Sequence, residues 1–513
     1  MSASAPAYRI NGAPAGREAF YALACDPARS IAVEACAGAG KTWMLVSRIL
    51  RALLDGCAPQ DILAITFTKK AAGEMRDRLN TELRRWATLD DEQLKAELRA
   101  RGLGEADAQR RLPEARGLHS RVTALGRPVQ VRTFHSWFAA LLRGAPLSVL
   151  QELRLPVQYE LLEDDAQAVA QVWPRFYAAL VADPAARQDF MDSVAEHGRH
   201  QTLKALEKAL GKRVEFALAD AGGVVGASVE TMAERYPEFA DSESPTQWLV
   251  QDARAATLLR EAAQALGRAS AATFSAKGVE LEQALGAGDG AGALAALLTQ
   301  KNEPRKFNDK LTGIEAVRAA QQLALRALEA MGQQRAWQHH QRMSRLARVL
   351  LASFAAFKRE RGWVDMNDVE GAARRLLGDA ELSGWMQQRL DARLRHVLID
   401  EFQDTNPLQW QALYGWLSAY AGAGPGEAPC VFLVGDPKQS IYRFRRAEPQ
   451  VFKAAQAFVV QGLAGALLSC DHTRRCAPAV VDALNAAMGA AVLAGQYGSD
   501  YREHTTESTA DGE

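Results

Sequence analysis

Short apolar runs alternate with helical repeats of apolar residues over the first block of the chain, residues 1–145. Strands are predicted at residues 30–34, 62–67 and 129–132. Helices are predicted at residues 42–54, from about Lys69, and at 136–142. Strands that alternate with helices are typical of a parallel sheet with helices on both faces. This pattern predicts the beginning of an α/β domain.

The pattern changes twice further along the chain. Residues 146–390 are rich in Ala, Leu, Gln, Arg and Glu with few strand-like runs, which predicts a mainly helical block. Short strands return at 396–399 and 431–434, with a helix beginning near Pro407. The simplest organisation is one parallel-sheet domain, built from residues 1–145 and 391–490, with a large helical insertion at 146–390. The polar tail, 491–513, is expected to be disordered.

Composition excludes several classes of protein. The chain has 513 residues, about three compact units by length, and no apolar run approaches the roughly 18 residues of a membrane span. Lys+Arg and Asp+Glu both number 61, which argues against a histone-like basic protein but leaves room for a local basic groove. The six cysteines form no CxxC pair, so a reduced cytosolic protein without a zinc or iron–sulfur site is expected.

A glycine-rich loop stands between the first predicted strand and the first predicted helix. Its residues are Ala35, Cys36, Ala37, Gly38, Ala39, Gly40, Lys41 and Thr42. The glycines allow backbone N–H groups to surround phosphate oxygens, Lys41 is placed to contact the β- and γ-phosphates, and the Thr42 hydroxyl to bind Mg²⁺. Ala35 replaces the first glycine of the general pattern. The alternative is a glycine-rich turn that binds nothing.

An acidic pair follows the apolar strand that begins at His396. Asp400 is expected to hold Mg²⁺ through water, and Glu401 to act as the general base for the attacking water. An ordinary strand end is the alternative, but the upstream phosphate loop favours a shared ATP site.

Four segments carry a family resemblance. D-E-F-Q-D-T at 400–405, G-D-P-K-Q-S-I-Y-R-F-R at 435–445, I-T-F-T-K-K-A-A-G-E-M at 65–75 and T-F-H-S-W at 133–137 resemble motifs of UvrD/Rep-type superfamily 1 DNA helicases. The large helical insertion is most similar to the RecB/AddA branch. The resemblance covers about residues 31–485 and implies a P-loop NTPase (RecA-like) domain with ATP and Mg²⁺ as cofactors.

The resemblance also implies roles for individual residues. Gln403 and Gln439 are expected to sense the γ-phosphate, and Arg445 to contact the γ-phosphate or Glu401. The segment T-R-R-C-A-P-A-V-V-D-A-L-N at 473–485 is similar to a further motif whose arginine touches the γ-phosphate. Its spacing favours Arg475 for that role, with Arg474 as the competitor.

Residues just beyond the predicted strand ends combine basic and aromatic side chains, the combination that binds single-stranded nucleic acid. The predicted DNA face consists of Thr68, Lys69, Lys70, Thr133, Phe134, His135, Ser136, Tyr442 and Phe444. Tyr442 and Phe444 are the expected base-stacking platform. Single residues have structural alternatives: Lys69 and Lys70 as a solvated first turn, Phe134 as core, and His135 as a structural histidine.

Three features bear on the resemblance. The glutamine with which the family reads adenine is Gly16 here, which leaves adenine specificity open. The sequence stops at Glu513, so the family's second motor domain is expected to be missing and turnover to be low. The segment at 363–368 is expected to supply a helix N-cap, at Asp365 or Asn367.

The function expected from these features is that of an ATP-dependent 3′–5′ DNA helicase or translocase of DNA repair and recombination, in the cytoplasm at the nucleoid. Its expected partners are single-stranded DNA, duplex ends and a second protein that supplies a motor or nuclease domain. The alternative is an ATP- and single-stranded-DNA-binding fragment or accessory subunit without motor activity. A P-loop kinase or transporter ATPase explains neither the 400–405 nor the 435–445 segment.

Overall fold

The computed structural model describes residues 7–162, 164–242, 244–379, 382, 385, 394–422, 428–442, 446–496 and 501–509. The chain divides into two compact units. The first, here the sheet unit, comprises Met1–Glu163 and Val364–Glu513, and the second, the helical unit, is Asp164–Trp363.

The strands are β1 (Tyr8–Ile10), β2 (Ala13–Pro14), β3 (Ile31–Ala35), β4 (Ile62–Thr66), β5 (Gln130–Thr133), β6 (Glu160–Leu162), β7 (Trp363–Asp365), β8 (His396–Ile399), β9 (Cys430–Gly435), β10 (Ala466–Cys470), β11 (His472–Thr473) and β12 (Thr505–Thr506). Among the described residues, eight of these strands form one sheet in the order β2-β1-β10-β3-β9-β8-β4-β5. The strands from β10 to β5 are parallel, and β1 and β2 add an antiparallel edge. The predicted α/β fold is confirmed.

The helices of the sheet unit are α1 (Arg17–Ala24), α2 (Lys41–Leu54), α3 (Lys69–Thr88), α4 (Asp91–Ala100), α5 (Glu105–Arg110), α6 (Leu112–Arg116), α7 (Leu118–Ala124), α8 (Phe134–Arg143), α9 (Leu147–Glu152), α21 (Met366–Gly378), α22 (Pro407–Leu417), α23 (Pro449–Gln461) and α24 (Pro478–Leu493). They cover both faces of the sheet, because successive strand residues point to opposite sides. In β9, Phe432 and Val434 enter the core beneath α2 and α3. Val431 and Leu433 enter the core beneath α8, α21 and α22.

The helical unit contains α10 (Ala166–Ala182), α11 (Pro184–His197), α12 (Arg199–Gly211), α13 (Arg213–Ala221), α14 (Val224–Ala227), α15 (Met232–Arg235), α16 (Pro245–Gln251), α17 (Ala253–Gly267), α18 (Ala272–Ala287), α19 (Gly290–Leu297) and α20 (Ile314–Arg361). Helix α18 packs closely on α17, where a Cβ at Gly278 would lie 2.5 Å from the backbone nitrogen of Gly267. Alanines of α20, among them Ala320, Ala324 and Ala327, complete this unit's core.

One expected domain boundary needs correction, and one expected helix N-cap is observed. The helical unit is narrower than residues 146–390, because α9 and α21 bury Leu150 and Leu376 in the core of the sheet unit. Composition identifies these segments as helical but does not indicate which core they join. The segment D-M-N-D does supply an N-cap, since the Asp365 carboxylate accepts the N–H groups of Asn367 and Asp368 at the start of α21.

The tail predicted to be disordered is ordered over residues 501–509. Strand β12 pairs with β11, and the backbone N–H of Thr505 donates to the Asp471 carbonyl. The Arg502 guanidinium lies 2.5 Å from the Asp471 carboxylate and 2.8 Å from that of Glu34. Charge pairs made on folding hold this polar segment, and its composition alone does not reveal them. Within the described residues, no helix is both long and apolar enough to cross a membrane.

Candidate functional site

The ends of β3, β4, β5, β8, β9 and β10 meet at one edge of the sheet, because these strands are parallel. Open parallel sheets bind ligands at this edge. The segments that carry the predicted motifs follow these strands, so the topology alone gathers them.

The phosphate loop connects β3 to α2 and contains two glycines in the left-handed region, Gly38 at φ 77° and Gly40 at φ 89°. A Cβ at Gly38 would lie 2.4 Å from Thr473 Oγ1 and 2.8 Å from Arg475 Cβ, so that position has room only for glycine. Ala35 is the last, buried residue of β3, and its position in an extended strand does not require glycine. The missing first glycine therefore leaves the loop intact.

Lys41 and Glu401 face each other across this loop. Lys41 Nζ lies 3.7 Å from Glu401 Oε2, although β3 and β8 are separated in the sheet by β9. Glu401 has a left-handed backbone, φ 48°, which is costly for a residue with a Cβ and is found mostly at functional sites. The Asp400 carboxylate accepts the Glu401 N–H at 3.0 Å. The predicted lysine and acidic pair thus share one site.

The carboxylates of this site are crowded. Burial, with the Glu401 charge adding to it, raises the pKa of Asp400 to about 7. The same two causes raise the pKa of Asp404 to about 6. Three carboxyl groups beside one lysine ammonium form a set of oxygen ligands with excess negative charge, which suits Mg²⁺. The residues present therefore fit a magnesium ion at Asp400 and, from the start of α2, at Thr42.

Gln403 connects the acidic pair to the next strand. It is 2% exposed, donates from Nε2 to Glu401 Oε2 at 2.8 Å, and accepts the Asp436 N–H on Oε1 at 2.9 Å. The Asp436 carboxylate in turn accepts a hydrogen bond from Gln439 Nε2 at 2.7 Å, and Ser440 Oγ donates to the Gln403 carbonyl. The two glutamines predicted to sense phosphate therefore belong to one hydrogen-bonded network.

Arg474 and Arg475 both lie beside the phosphate loop. The Arg474 backbone N–H donates to the Gly38 carbonyl, and its Nη1 lies 3.3 Å from the place of a Cβ on Gly40. Tyr21 accepts a hydrogen bond from Arg474 Nη2 at 2.9 Å, which fixes the guanidinium. Arg475 is exposed. The sequence favoured Arg475 for contact with phosphate, but the structure directs the Arg474 guanidinium towards the loop.

A cavity of about 810 Å³ opens next to the loop. Its lining includes Arg17, Glu18, Tyr21, Trp43 and Arg474. Gly16 itself is the exposed N-cap of α1 and has no side chain to read a base. Tyr21 and Trp43 belong to none of the predicted motifs, although Trp43 follows the loop directly and lines this cavity.

A basic groove of about 540 Å³ lies between α3 and β5. Lys69, Arg76, Arg132, Thr133 and Ser136 contribute to its lining. Arg76 and Arg132 were not among the predicted DNA-face residues. The spacing of seven residues places Arg76 on the same face of α3 as Lys69, and this was the signal available in the sequence.

Four predicted DNA-face residues near these strand ends have structural roles. Phe134 is only 6% exposed and packs against Phe138 in the core, so its ring has no face for a base, and we remove it from the DNA face. The side chains of Thr133 and Ser136 form the capping box of α8. The Thr68 hydroxyl caps α3 by accepting the Ala71 N–H.

The other predicted DNA-face residues remain at the surface or near it. Lys69 and Lys70 are exposed in the first turn of α3. His135 is partly exposed and contacts Glu370, with 3.1 Å between Nε2 and Oε1. The Tyr442 ring lies 4.6 Å from that of Phe67, an aromatic residue that the sequence analysis did not include. Phe444 and Arg445 lie outside the described residues.

The sequence of the chain matches a known protein family. The profile of the UvrD/REP helicase N-terminal domain family matches residues 16–459, and the chain belongs to this family. The resemblance predicted from four motifs is confirmed, and the sheet unit is a P-loop NTPase domain.

Longer curated relatives are also similar to the chain. An ATP-dependent helicase/nuclease subunit of Geobacillus thermodenitrificans is 28% identical over 93% of this chain and 40% of its own length. Proteins of the same name from Levilactobacillus brevis and Acetivibrio thermocellus are 26% and 25% identical, over 94% and 83% of this chain. The chain spans 35–40% of the length of these relatives.

Proposed function

We propose that this chain is the ATP-hydrolysing motor domain of a DNA helicase or translocase that moves 3′ to 5′ in DNA repair and recombination, acting on chromosomal DNA in the cytoplasm. The observation that carries the proposal is the contact of Lys41 and Gln403 with the Glu401 carboxylate, at 3.7 and 2.8 Å. These contacts join two segments, the phosphate loop and the 400–405 motif, at a single strand-end edge.

The chain's own groups account for each step of hydrolysis. The loop amides and Lys41 hold the β- and γ-phosphates, and Arg474 supplies a further positive charge. Glu401 accepts a proton from the attacking water as the bond to the γ-phosphorus forms and the bond to the β–γ bridging oxygen breaks. Mg²⁺, held from Thr42 and Asp400, supplies charge neutralisation when it is bound. The cavity that contains Tyr21 and Trp43 accommodates the nucleotide base.

Single-stranded DNA is the second ligand. The groove between α3 and β5 offers Lys69, Arg76 and Arg132 to phosphates, and Tyr442 offers an aromatic face to bases. The 3′–5′ direction comes from the family resemblance. The relatives' name describes one subunit of a helicase/nuclease, which supports a second protein as partner.

The test measures ATP hydrolysis with and without oligothymidine, and strand release from 3′-tailed and 5′-tailed duplexes. The proposal expects DNA to stimulate turnover and Glu401→Gln to abolish the stimulation. Strand release from the 3′-tailed duplex alone supports the direction, whereas release from the 5′-tailed duplex alone contradicts it. A protein that binds neither ATP nor single-stranded DNA contradicts the proposed function as a whole.

A further inference from the structure

Glu370 is a buried carboxylate that receives four side-chain contacts. It lies on α21 and is 0% exposed. Asn406 Nδ2 and Gln409 Nε2 donate to its Oε1 at 2.9 and 3.0 Å, and His135 Nε2 lies 3.1 Å from the same oxygen. Arg446 Nη2 donates to Oε2 at 2.8 Å.

One of the four contacts comes from a motif segment, and the other three come from residues that closely follow two further motif segments. His135 belongs to the segment that also lines the basic groove. Asn406 directly follows the 400–405 segment, which holds the acidic pair. Arg446 follows the 435–445 segment, which carries Gln439 and Tyr442. Glu370 is therefore the place where the nucleotide segments and the DNA-facing segments share one partner.

The charge of Glu370 is balanced within this network. Burial raises the pKa of Glu370, but the hydrogen bond from His135 and the charge of Arg446 bring the pKa below its usual value. Arg446 itself has a left-handed backbone, φ 69°, and its ion pair with Glu370 helps to hold that conformation. The contacts thus fix the position of Arg446.

Stability alone is a poor explanation for a carboxylate at this position. The neighbouring α21 residues Val369, Ala372, Ala373 and Leu376 are buried and apolar. Replacing a buried ion pair with apolar residues of similar volume is often neutral or stabilising. A carboxylate here gains its advantage from the segments that it holds together.

We infer that Glu370 is a positioning residue that couples the nucleotide site to the DNA face, so that occupation of one site changes the affinity of the other. The inference rests on the proposed function. Glu370 contacts neither phosphate-loop residues nor the acidic pair in the described structure, and it acts through His135, Asn406 and Arg446. Such coupling is reciprocal and is measurable in binding experiments without turnover.

The experiment measures the dissociation constant of a fluorescent oligothymidine, by anisotropy, with and without saturating Mg²⁺ and a non-hydrolysable ATP analogue. The wild-type ratio of the two constants is expected to differ from one by at least about fivefold. In Glu370→Gln, which keeps the side-chain volume, the ratio is expected to fall within twofold of one. The nucleotide-free DNA affinity is expected to stay within threefold of wild type.

A second variant separates positioning from folding. Glu370→Gln removes the ion pair with Arg446 and can destabilise the protein, whereas the double variant E370Q/R446M removes both charges. A purely structural role predicts that stability and coupling both recover in the double variant. A positioning role predicts that the melting temperature recovers while the ratio stays near one.

Asp189→Asn is the matched control. Asp189 is a half-buried carboxylate in the helical unit that binds Arg345 through two hydrogen bonds, at 2.7 and 2.8 Å, and is remote in sequence from every motif. In Asp189→Asn, the ratio of the oligothymidine dissociation constants with and without nucleotide is expected to equal the wild-type ratio. A wild-type protein that binds both ligands without linkage, or Glu370 variants that keep the linkage, would overturn the inference. A wild-type protein that binds neither ligand contradicts the proposed function instead.

Discussion

Gln403 donates a hydrogen bond to the Glu401 carboxylate at 2.8 Å and keeps this side chain beside Lys41. Glu401 has a left-handed backbone, so its carboxylate position depends on such contacts. Gln403 also accepts the Asp436 N–H. A displacement at the end of β9 is therefore transmitted through the Gln403 side chain to Glu401, the proposed general base.

Replacing Gln403 with Ala removes a hydrogen bond to a charged group, a loss of about 1.5–3 kcal/mol. We expect DNA-stimulated ATP turnover to fall about 10- to 150-fold, while the affinity for a non-hydrolysable analogue changes less than threefold. Steady-state hydrolysis and analogue titration separate these effects. Unchanged turnover in a folded Gln403→Ala variant would show that the Gln403–Glu401 contact is incidental.

Gly38→Ala is expected to abolish nucleotide binding. The added Cβ would lie 2.4 Å from Thr473 Oγ1, and the left-handed φ of 77° adds strain. Gly332→Ala is the matched control, because this glycine lies inside α20 and its Cβ meets nothing within 4 Å. The control is expected to bind nucleotide normally and to gain up to about 1 kcal/mol in unfolding free energy. If Gly38→Ala binds nucleotide as tightly as wild type does, the loop at Gly38 does not form the phosphate site.

Tyr442→Ala tests the aromatic platform. Stacking of one base on an aromatic ring contributes about 1–3 kcal/mol, so the affinity for oligothymidine is expected to fall about 5- to 150-fold. Tyr414 on α22 is 47% exposed and lies outside the DNA-face segments, so Tyr414→Ala controls for loss of an exposed tyrosine. Equal losses in the two variants would remove Tyr442 from the DNA face.

The apolar pattern was a good guide to the central strands and a poor guide to their neighbours. Strand β8 was predicted with its observed bounds, because its apolar V-L-I run contains two β-branched residues and is flanked by polar residues. Strand β10 pairs with the central β3 but was missed, since Ala-Leu-Leu-Ser-Cys has a composition equally typical of helices. Residues 286–296, whose G-A-G-D-G-A-G-A-L-A-A sequence is typical of a loop or a frayed helix start, belong mainly to α18 and α19, which pack on α17 and α16 at Gly278 and Gly290.

Most candidate site residues inside sequence motifs were predicted, and those outside the motifs were not. Lys41, Glu401 and Gln403 were predicted because consecutive motif letters define them. Glu370 was not predicted, because a buried charged residue on a helix cannot be distinguished in sequence from a solvated one. For Arg76 the spacing from Lys69 indicates a shared helix face but does not show that this face lines a groove. Burial and distant partners, which only the fold supplies, separate these cases.

His396 predicts a pH dependence of stability. Burial, together with the charges of Arg48 and Arg395, lowers the pKa of His396 to about 4. A histidine with a depressed folded-state pKa binds more protons when unfolded, so the contribution of His396 to stability is complete above about pH 6.5 and is lost as the pH falls towards 4. The loss has a slope of up to about 1.4 kcal/mol per pH unit. His396→Asn is expected to flatten this slope in urea unfolding curves, whereas His200→Asn, at an exposed position, is expected to run parallel to wild type.

The most direct test of the ATP site is a titration of a fluorescent ATP analogue into wild type, Lys41→Ala and the exposed control Lys301→Ala, with Mg²⁺ and with EDTA. Loss of the charge-assisted contact from Lys41 is expected to weaken binding about 10- to 150-fold. Lys301→Ala is expected to bind the analogue as tightly as wild type does. EDTA is expected to weaken analogue binding by both of these proteins. Equal affinities in all three proteins would contradict the assignment of Lys41, Asp400 and Glu401 to an ATP site.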